Sequence, residues 1–579
     1  MPTIKFHSCL ISGTFYLLIL FCQPLYSQID REAGKQFVTR SEVIGQRGMV
    51  ATSQPLATQV GLDVLRRGGN AIDAAIATNA AMGLMEPTGN GIGGDLFALI
   101  WHAESGRLFA LNASGRSPLG LTYEDLMAEL DRIGIDKIPT FDALAISVPG
   151  AVDGWFEMHE RFGSMAMQEI LKEPICYAEQ GFPLSEVIAG HWARLMEVHK
   201  DRPGALVQTY TIDGNAPGKG EIFQNPDLGN TYRLLGEQGR DVFYKGEIAK
   251  KIDSWMRENG GYLRLEDFEN HTSDWVDPIS VNYRGYDVYQ IGGNNQGTAV
   301  LQMINILEGY DMSKKGFASE ETLHLMIEAK KLAFEDRAKH YADPEFYDIP
   351  LERLLSKEYA AERRERISDQ AMSDLSTGVG DLGGDTIYLT TADSDGNMVS
   401  LIQSNYRSMG TGIMVPGTGF SLQNRGELFS LDPDHPNVYA PGKRPFHTII
   451  PGFVNKDGKP WFSFGIMGGT YQPVGHLSIL TNVIDFGMNS QEAGDALRWM
   501  HEGSTNPMDS WDDRLFSTGI VYFESSIDYK VVRGLRNRGH TVRIGESFFG
   551  RYQGIIKDHK NGVYHGASES RVDGQAAGY

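Results

Sequence analysis

The sequence contains little cysteine and no run of basic residues. Only 3 of its 579 residues are Cys, so we expect a hydrophobic core and not a disulfide framework to hold the fold together. Lys and Arg number 53 against 74 Asp and Glu, and no long Lys/Arg stretch occurs. A formal net charge of −21 repels nucleic-acid phosphates and anionic lipid, so we expect neither as a partner.

The motifs of several common enzyme classes are also missing. No HExxH pattern occurs, and the few cysteines cannot build a thiolate cage, so we predict no metal. No GxSxG elbow is present. Gly89-Asn-Gly-Ile-Gly-Gly94 matches GxGxxG, but it follows a helical pattern and precedes a strand pattern, the reverse of a dinucleotide-binding turn. We therefore predict no cofactor, and interpret residues 89–94 as a glycine-rich turn that joins two elements or lines a site.

The first 27 residues differ in character from the rest. Lys5 precedes a run of 13 mostly apolar residues, Leu10–Cys22, and Ser27 supplies a small residue for a cut. An apolar run of this length is short of the roughly 20 residues needed to span a bilayer. The sequence therefore predicts a cleaved signal peptide over residues 1–27, an exported periplasmic or extracellular product without a membrane span, and Cys176 as its one cysteine.

Helical and strand patterns alternate along the remaining chain, which indicates an α/β protein. Apolar spacing predicts a helix over residues 56–85 that stops at Glu86-Pro87. Asp95–Trp101 and Arg107–Leu111 read as two strands of a hairpin. Residues 321–341 are predicted to form an amphipathic helix with one apolar stripe.

A second predicted hairpin begins at Thr386. Thr386–Ala392 and Asn397–Gln403 flank a turn that ends in Asp-Gly, a strong hairpin signal. Two glycines, Gly383 and Gly384, lie just before it. A Thr in this place suits an N-terminal nucleophile, whose α-amine becomes a base once the preceding bond is cut. Strand propensity alone also explains the Thr, so the segment by itself leaves both interpretations open.

Further segments occur in a fixed order: Gly68–Ala75, Glu86–Gly94, Leu301–Tyr310, Glu328–Arg337, Gly384–Thr386, Pro441–Pro445, Met467–Gly469 and Asp573–Tyr579. Together they resemble the γ-glutamyltranspeptidase family from about Gly45 to the C-terminal residue. The resemblance implies a four-layer αββα sandwich of the N-terminal nucleophile hydrolase type. It also implies a proenzyme that cuts itself between Asp385 and Thr386.

The resemblance divides the chain and gives roles to the catalytic residues. The products would be a large fragment, residues 28–385, and a small fragment, residues 386–579, which stay together as a heterodimer forming one interwoven domain. Thr386 would be the nucleophile. Gly468 and Gly469 would supply backbone N–H groups to the oxyanion, and Ser404 would be a second hydroxyl that supports the nucleophile.

Substrate contacts implied by the resemblance are partly altered. Arg116 matches the arginine that pairs with the glutamyl α-carboxylate. An asparagine of the family falls on Tyr406, with Asn405 adjacent. The acidic residue that binds the substrate α-amino group aligns with Leu428, and Glu427 is one position away.

Two other positions depart from the family pattern. A serine pair is replaced by His447 and Thr448, where His447 makes a polar contact or is a structural histidine. The segment Asn437–Gly442 is short where many members carry a lid loop, which predicts an open cleft.

Three hypotheses for the function follow. The first is an autoprocessed enzyme that cleaves γ-glutamyl amides such as glutathione through a Thr acyl-enzyme, with transfer to water or an amine. The second keeps the mechanism but acts on an acid amide without an α-amino group, such as oxamate or a glutaryl side chain. The third is a non-catalytic exported binding protein, against which the intact Gly384-Asp385-Thr386 argues.

Overall fold

The computed structural model describes residues 37–374, 376–377, 384–509, 515–545 and 548–579. The predicted signal peptide and Gly383 lie outside these ranges. From Thr39 onward the described chain forms one compact unit. None of the helices in the described ranges is long and apolar enough to cross a bilayer.

The strands of the described chain are the following: β1 (Val43–Gly45), β2 (Met49–Thr52), β3 (Asp95–His102), β4 (Arg107–Ala113), β5 (Phe182–Pro183), β6 (Ile222–Phe223), β7 (Asp274–Val276), β8 (Ile279–Tyr283), β9 (Tyr286–Gln290), β10 (Ser376–Thr377), β11 (Asp385–Ala392), β12 (Met398–Tyr406), β13 (Gly452–Lys456), β14 (Lys459–Ile466), β15 (Trp499–Glu502), β16 (Leu515–Phe516), β17 (Ile520–Phe523), β18 (Thr541–Ile544), β19 (Tyr552–Asp558), β20 (Val563–Ser568) and β21 (Gln575–Gly578).

Its α-helices are the following: α1 (Pro55–Arg66), α2 (Ala71–Met85), α3 (Tyr123–Ile133), α4 (Ala151–Phe162), α5 (Met167–Gln180), α6 (Glu186–His199), α7 (Leu206–Thr209), α8 (Pro226–Gln238), α9 (Asp241–Tyr244), α10 (Glu247–Glu258), α11 (Leu265–Glu269), α12 (Gly297–Leu307), α13 (Met312–Lys315), α14 (Glu320–His340), α15 (Leu351–Leu354), α16 (Lys357–Arg364), α17 (Gln472–Ile484), α18 (Ser490–Asp495) and α19 (Tyr529–Asn537).

Two seven-stranded antiparallel sheets form the centre of the molecule. The first has the strand order β1-β20-β19-β14-β13-β9-β8, and the second has the order β21-β2-β11-β12-β3-β4-β7. Each sheet therefore mixes strands that precede Thr386 with strands that follow it. In the second sheet β11 and β12 lie between β2 and β3, so the segment after Thr386 forms the middle of a sheet built largely by the segment before it.

The two sheets pack face to face, and helices cover their outer faces. Thr390 and Ser463 form a hydrogen bond of 2.5 Å between the sheets. Gly465 approaches the ring of Tyr388 so closely that a methyl group there would lie 2.3 Å from the ring. Helices α1 and α2 pack on the second sheet, and α12 and α17 pack on the first. The predicted αββα sandwich is thus confirmed.

The predicted helix over residues 56–85 is wrong in one respect, because the structure divides it into α1 and α2. Gly68, with a φ of +96°, ends the first helical segment, since only glycine adopts this conformation readily. Asn70 then begins the second, and its side chain accepts hydrogen bonds from the N–H groups of Ile72 and Asp73. Every residue of α2 is buried, which explains its high content of alanine.

The other predicted elements are confirmed within a few residues, as β3 with β4, β11 with β12, and α14. The amphipathic description of α14 is wrong, because several residues of its charged face, such as Lys330 and Asp336, are also buried. Lys330 donates to the carbonyl oxygen of His501 at 3.0 Å, and Asp336 accepts from Gln302 at 2.8 Å. Burial of such groups requires partners, and helical periodicity gives no information about partners elsewhere in the chain.

Glu86, directly after α2, is a buried acid near the centre of the molecule. The hydroxyl of Ser53 donates to its carboxyl group at 3.0 Å, and Asn90 donates to its backbone carbonyl oxygen at 2.7 Å. Burial raises the pKa of Glu86 to about 7, and the charge of Arg551 lowers it in opposition. The folded chain therefore holds this proton up to neutral pH.

We predict that Glu86→Gln reduces the loss of stability between pH 5 and pH 8. An ordinary Glu releases its proton near pH 4.5, so between that value and about 7 only the folded state holds it, and stability falls as the pH rises. Each pKa unit corresponds to about 1.4 kcal/mol. Thermal unfolding midpoints should be compared in a Thr386→Ala background that keeps one chain. Parallel pH profiles for Glu86→Gln and the exposed control Glu104→Gln would contradict the prediction.

Candidate active site

Thr386 lies at an irregularity in the pairing of β11 with β12. Asp385 pairs with Tyr406, but Ile387 pairs with Gln403, so the register shifts at Thr386. Such a bulge leaves the residue outside the regular ladder and changes the direction of its side chain. Thr386 is nevertheless buried, with an exposed fraction of 1%. The predicted nucleophile is thus held at a fixed place inside the sandwich.

The carbonyl group before Thr386 is held by Ser404. The Ser404 hydroxyl donates to the Asp385 carbonyl oxygen at 2.7 Å. The backbone N–H of Tyr406 donates to the same hydroxyl oxygen at 2.7 Å, which directs the serine proton toward the carbonyl. A donor in this position stabilises negative charge that develops on the oxygen when a nucleophile attacks.

The glycine-rich turn lines this bond on another side. The carbonyl oxygen of Gly89 accepts from the N–H of Asn405 at 3.2 Å. A methyl group on Gly89 would lie 3.0 Å from the Thr386 nitrogen and 3.4 Å from the Asp385 carbonyl carbon. Of the two interpretations of residues 89–94, the structure supports a turn that lines the site. Any larger residue at position 89 would press on the bond.

Gln472 approaches the Thr386 hydroxyl, and sequence reasoning missed it. Its side-chain nitrogen donates to Thr386 Oγ1 at 3.4 Å, and its side-chain oxygen accepts from the N–H of Ile450 at 2.9 Å. Gly468 and Gly469, with φ of +126° and +56°, lie one turn before it. The predicted oxyanion glycines thus directly precede the helix whose first residue, Gln472, contacts Thr386. The short spacing between the glycine pair and Gln472 was the available signal.

Asp385 is one of several charged groups around the bond, and its side chain is 25% exposed. Burial raises the pKa of its carboxyl group, and the positive charges of Arg551 and Arg194 oppose this. Arg551 lies 3.9 Å from Asp385 and also contacts the ring of His191 at 2.8 Å. The cations keep this region from being purely acidic. The charge of Asp385 also adds to the raised pKa of Glu86, which shows that the two carboxyl groups are close enough to interact.

Asn405 and Tyr406 both lie next to the bond. The side chain of Asn405 covers the glycine-rich turn, and a methyl group on Gly94 would lie 2.3 Å from its oxygen. Tyr406 has a φ of +76°, which is rare for an aromatic residue and marks local strain. A methyl group on Gly384 would lie 3.1 Å from the Tyr406 ring. The ring therefore packs directly on the segment before Thr386.

Glu427 and Leu428 differ sharply in their surroundings. The carboxylate of Glu427 receives two contacts of 2.9 Å from the guanidinium of Arg407. Burial raises the pKa of Glu427, and Arg407 opposes this. Leu428 is completely buried among apolar side chains. The structure thus places the carboxylate of Glu427 against an arginine.

His447 and Thr448 contact other buried polar groups. His447 Nε2 lies 3.1 Å from a carboxylate oxygen of Asp95. Burial, with help from Arg425, lowers the pKa of His447 to about 4, so the ring is neutral. Thr448 accepts a hydrogen bond of 3.0 Å from Arg425, which sequence reasoning also missed. The only sequence signal for Arg425 was its position three residues before Leu428.

Within the described ranges, Arg116 makes no contact with the groups around Thr386. Its guanidinium makes two contacts with Glu345, at 3.0 and 2.8 Å, and lies 3.8 Å from both Asp274 and Asp343. The charge of this arginine is therefore already met by carboxylates. Its predicted role in binding a substrate carboxylate stays a prediction.

One cluster in the described ranges has the composition of a metal site, namely His324, Glu328 and His540. His324 contacts His540 at 2.8 Å and the carbonyl oxygen of Ser368 at 2.7 Å, so hydrogen bonds account for both nitrogens of its ring. Lys331 lies 2.8 Å from Glu328 and supplies a positive charge there. The chemistry of the cluster fits a hydrogen-bonded ion pair better than a cation site.

Comparisons with known proteins agree with the fold and with the site around Thr386. The family model of γ-glutamyltranspeptidase matches residues 57–579. The glutathione hydrolase-like YwrD proenzyme of Bacillus subtilis is 37% identical over 93% of this chain and 99% of its own length. The oxamate amidohydrolase proenzyme of Klebsiella pneumoniae is 32% identical over 93% of this chain and 100% of its own.

A solved structure also matches this chain over nearly its whole length. The cephalosporin acylase from Bacillus halodurans superposes with a TM-score of 0.86 at 41% identity, covering 95% of this chain and 99% of its own. Fold, motifs and relatives agree, and the chain belongs to the γ-glutamyltranspeptidase family of N-terminal nucleophile hydrolases.

Proposed function

We propose that this protein is an exported proenzyme that cuts itself between Asp385 and Thr386 and then cleaves amide bonds of small acids. The observation that carries the proposal is the hydrogen bond from Ser404 to the Asp385 carbonyl oxygen, next to the Thr386 hydroxyl. The proenzyme names of the relatives support the same two-fragment product. Residues 28–385 and 386–579 would be its fragments, and the signal peptide of residues 1–27 would direct export.

Self-cleavage would begin with attack of Thr386 Oγ on the carbonyl carbon of Asp385. The new C–O bond forms as the C–N bond breaks, and the hydroxyl proton goes to the departing nitrogen. Ser404 stabilises the negative charge on the carbonyl oxygen during this step. Water then hydrolyses the ester, which leaves a carboxylate on Asp385 and a free amine on Thr386.

Turnover would use the same hydroxyl with the new amine as its base. Thr386 Oγ attacks the substrate amide, its proton passes to the α-amine, and the amine then protonates the leaving group. The N–H groups of Gly468 and Gly469 would donate to the oxyanion, while Gln472 orients the hydroxyl. Water or an amine would release the acyl group from Thr386.

Two acyl groups are candidates for the substrate of this enzyme. The first is γ-glutamyl, as in the glutathione hydrolase-like relative. The second is an acid without an α-amino group, and the surroundings of Leu428 and Glu427 favour it. Leu428 carries no charge for an ammonium group, and Arg407 already neutralises Glu427. Oxamate amidohydrolase and acylase relatives support the second candidate.

We predict that Thr386→Ala yields one uncut chain and lowers amide hydrolysis at least about 10⁴-fold, the scale on which loss of a nucleophile acts in other hydrolases. A denaturing gel and an anilide assay of purified protein measure both effects. Thr386→Ser is the matched control, because it keeps a hydroxyl and is expected to be cut. Two bands from Thr386→Ala would refute the assignment of the nucleophile.

We predict that Ser404→Ala slows self-cleavage about 100-fold, because one donor to the developing oxyanion is lost. The rate is followed by gel densitometry after synthesis of the precursor. Ser400→Ala is the control on the same strand, since Ser400 is buried and bonds to Phe464 and not to Asp385. Equal cleavage rates for the two variants would show that Ser404 has no part in processing.

We predict that the processed enzyme hydrolyses a glutaryl anilide at least as fast as a γ-glutamyl anilide. The two acyl groups differ only in the α-ammonium, for which Leu428 offers no partner. The ratio of the two kcat/KM values is the measurement. A preference of tenfold or more for γ-glutamyl would exclude the second candidate and indicate that Glu427 exchanges Arg407 for the substrate.

A further inference from the structure

Arg425 is a buried arginine without a carboxylate partner. Its exposed fraction is 0%, and it begins a short 3-10 helix, Arg425–Leu428. One of its nitrogens donates to the hydroxyl of Thr448 at 3.0 Å. The other two, Nε and Nη2, have no hydrogen-bond partner in the described part of the chain. No Asp or Glu oxygen of those residues lies within ion-pair distance of this guanidinium.

The nearest acids are bound to other groups. Asp95 contacts His447 at 3.1 Å and also accepts from Gln423 at 2.9 Å. Glu427 is paired with Arg407. Burial lowers the pKa of Arg425 to about 10, and the charge of Asp95 only partly offsets this. A buried cation is unfavourable unless an anion meets it, so an unpaired arginine at this depth calls for an explanation.

Two series of contacts connect Arg425 to the region of the bond before Thr386. Its guanidinium carbon is 4.6 Å from the centre of the Tyr406 ring, and Tyr406 pairs with Asp385 across the strands. On the other side, the carbonyl oxygen of its partner Thr448 accepts from Gln296 at 2.6 Å. Gln296 also donates to the carbonyl oxygen of Gly469 at 2.8 Å. Contacts therefore connect Arg425 to the segment before Thr386 through Tyr406, and to Gly469 through Thr448 and Gln296.

Tyr406 separates Arg425 from the segment that self-cleavage would alter. One edge of its ring packs on Gly384, the residue two positions before Thr386, and its face lies toward Arg425. Cutting the bond after Asp385 would disconnect Gly384 and Asp385 from the rest of β11. Tyr406, whose positive φ is strained, would then lose one of its packing contacts, while Arg407 still contacts its hydroxyl and ring.

We propose that Arg425 binds the carboxylate of the acyl group, and that Tyr406 covers it until the chain is cut. This inference rests on the proposed amide hydrolase function and gives it a substrate class: amides of acids that carry a second carboxylate. The two unpartnered nitrogens Nε and Nη2 are adjacent donors of one planar guanidinium. They match the two oxygens of a carboxylate.

Arg116 is less suited to the same task. Glu345 already occupies two of its donors, and Asp274 and Asp343 lie near it. A substrate carboxylate would have to displace Glu345 and approach Asp274 and Asp343, in a cluster where Arg444 also contacts all three acids. At Arg425 the approaching carboxylate meets a cation that lacks an anion.

The test compares a charged acyl group with its neutral counterpart. Glutaryl p-nitroanilide carries the carboxylate, and the primary amide of that carboxylate is the neutral substrate. Arg425→Gln is expected to lower kcat/KM for glutaryl p-nitroanilide about 100-fold, because a desolvated charge pair is lost. The neutral substrate should change less than threefold. Arg425→Lys keeps the charge but not the paired donors, and should lose about tenfold on the charged substrate only.

Controls separate this inference from the function on which it rests. Self-cleavage on a gel and the thermal midpoint show whether each variant folds, and hydrolysis of the neutral substrate shows whether the amide hydrolase is intact. Arg132→Gln, at an exposed arginine on α3, is the matched control for loss of a charge. Equal losses on both substrates, or a selective loss in Arg116→Gln but not in Arg425→Gln and Arg425→Lys, would overturn the inference. An unmutated enzyme that cleaves neither substrate would refute the function itself.

Discussion

The pairing of β11 with strands on both sides determines where the chemistry can take place. β12 fixes the start of β11 through the pair Asp385–Tyr406, and β2 holds its other end through Leu389 to Ala392. Between these points the bulge leaves Thr386 outside the ladder, with Ser404 on the carbonyl before it. The glycine-rich turn can approach the same bond only because Gly89 has no side chain. Each contact at the site depends on this strand being held in one register.

The elements that the sequence predicts well are those set by local patterns. The hairpin around Asp393–Gly396 follows from its turn and its β-branched flanks, and α14 follows from apolar spacing. The break in the first long helix depends on Gly68 and on the cap at Asn70, both of which are visible in the sequence but interrupt an otherwise continuous pattern. The buried charges of α14 depend on partners outside the helix, 34 positions away for Asp336 and 171 positions away for Lys330, which no local pattern contains.

The candidate site divides in the same way. Thr386, Ser404 and the glycine pair were predicted because they stand in motifs that resemble a known family. Gln472 and Arg425 were missed, because an isolated Gln or Arg gives no sign of burial or of what it faces. Arg116 shows the opposite problem. Its motif suggests a substrate contact, whereas the identity of its actual neighbour, Glu345, depends on packing between distant segments.

Under the proposed function, substrate selectivity would depend on which buried charges already have partners. Arg116 and Glu427 stand in positions where sequence similarity suggests ligands, yet each is matched by a group of opposite sign from the chain itself. Arg425 is buried as deeply as either and is not matched. Charge balance therefore favours Arg425 as the group that binds the acyl carboxylate, whereas family resemblance favours Arg116. Thr386 is the candidate nucleophile in both cases.

The alternation of early and late strands in both sheets has a consequence for how the protein is made. Because β11 pairs with β2, and β2 pairs with β21, the strand that contains Thr386 lies in a sheet completed by strands from both ends of the chain. If the chain cuts itself before Thr386 as proposed, a misfolded copy would keep that peptide bond outside the geometry required for the cut. Because the cut is irreversible, the fraction of cut chain would then report the fraction of molecules that had folded correctly.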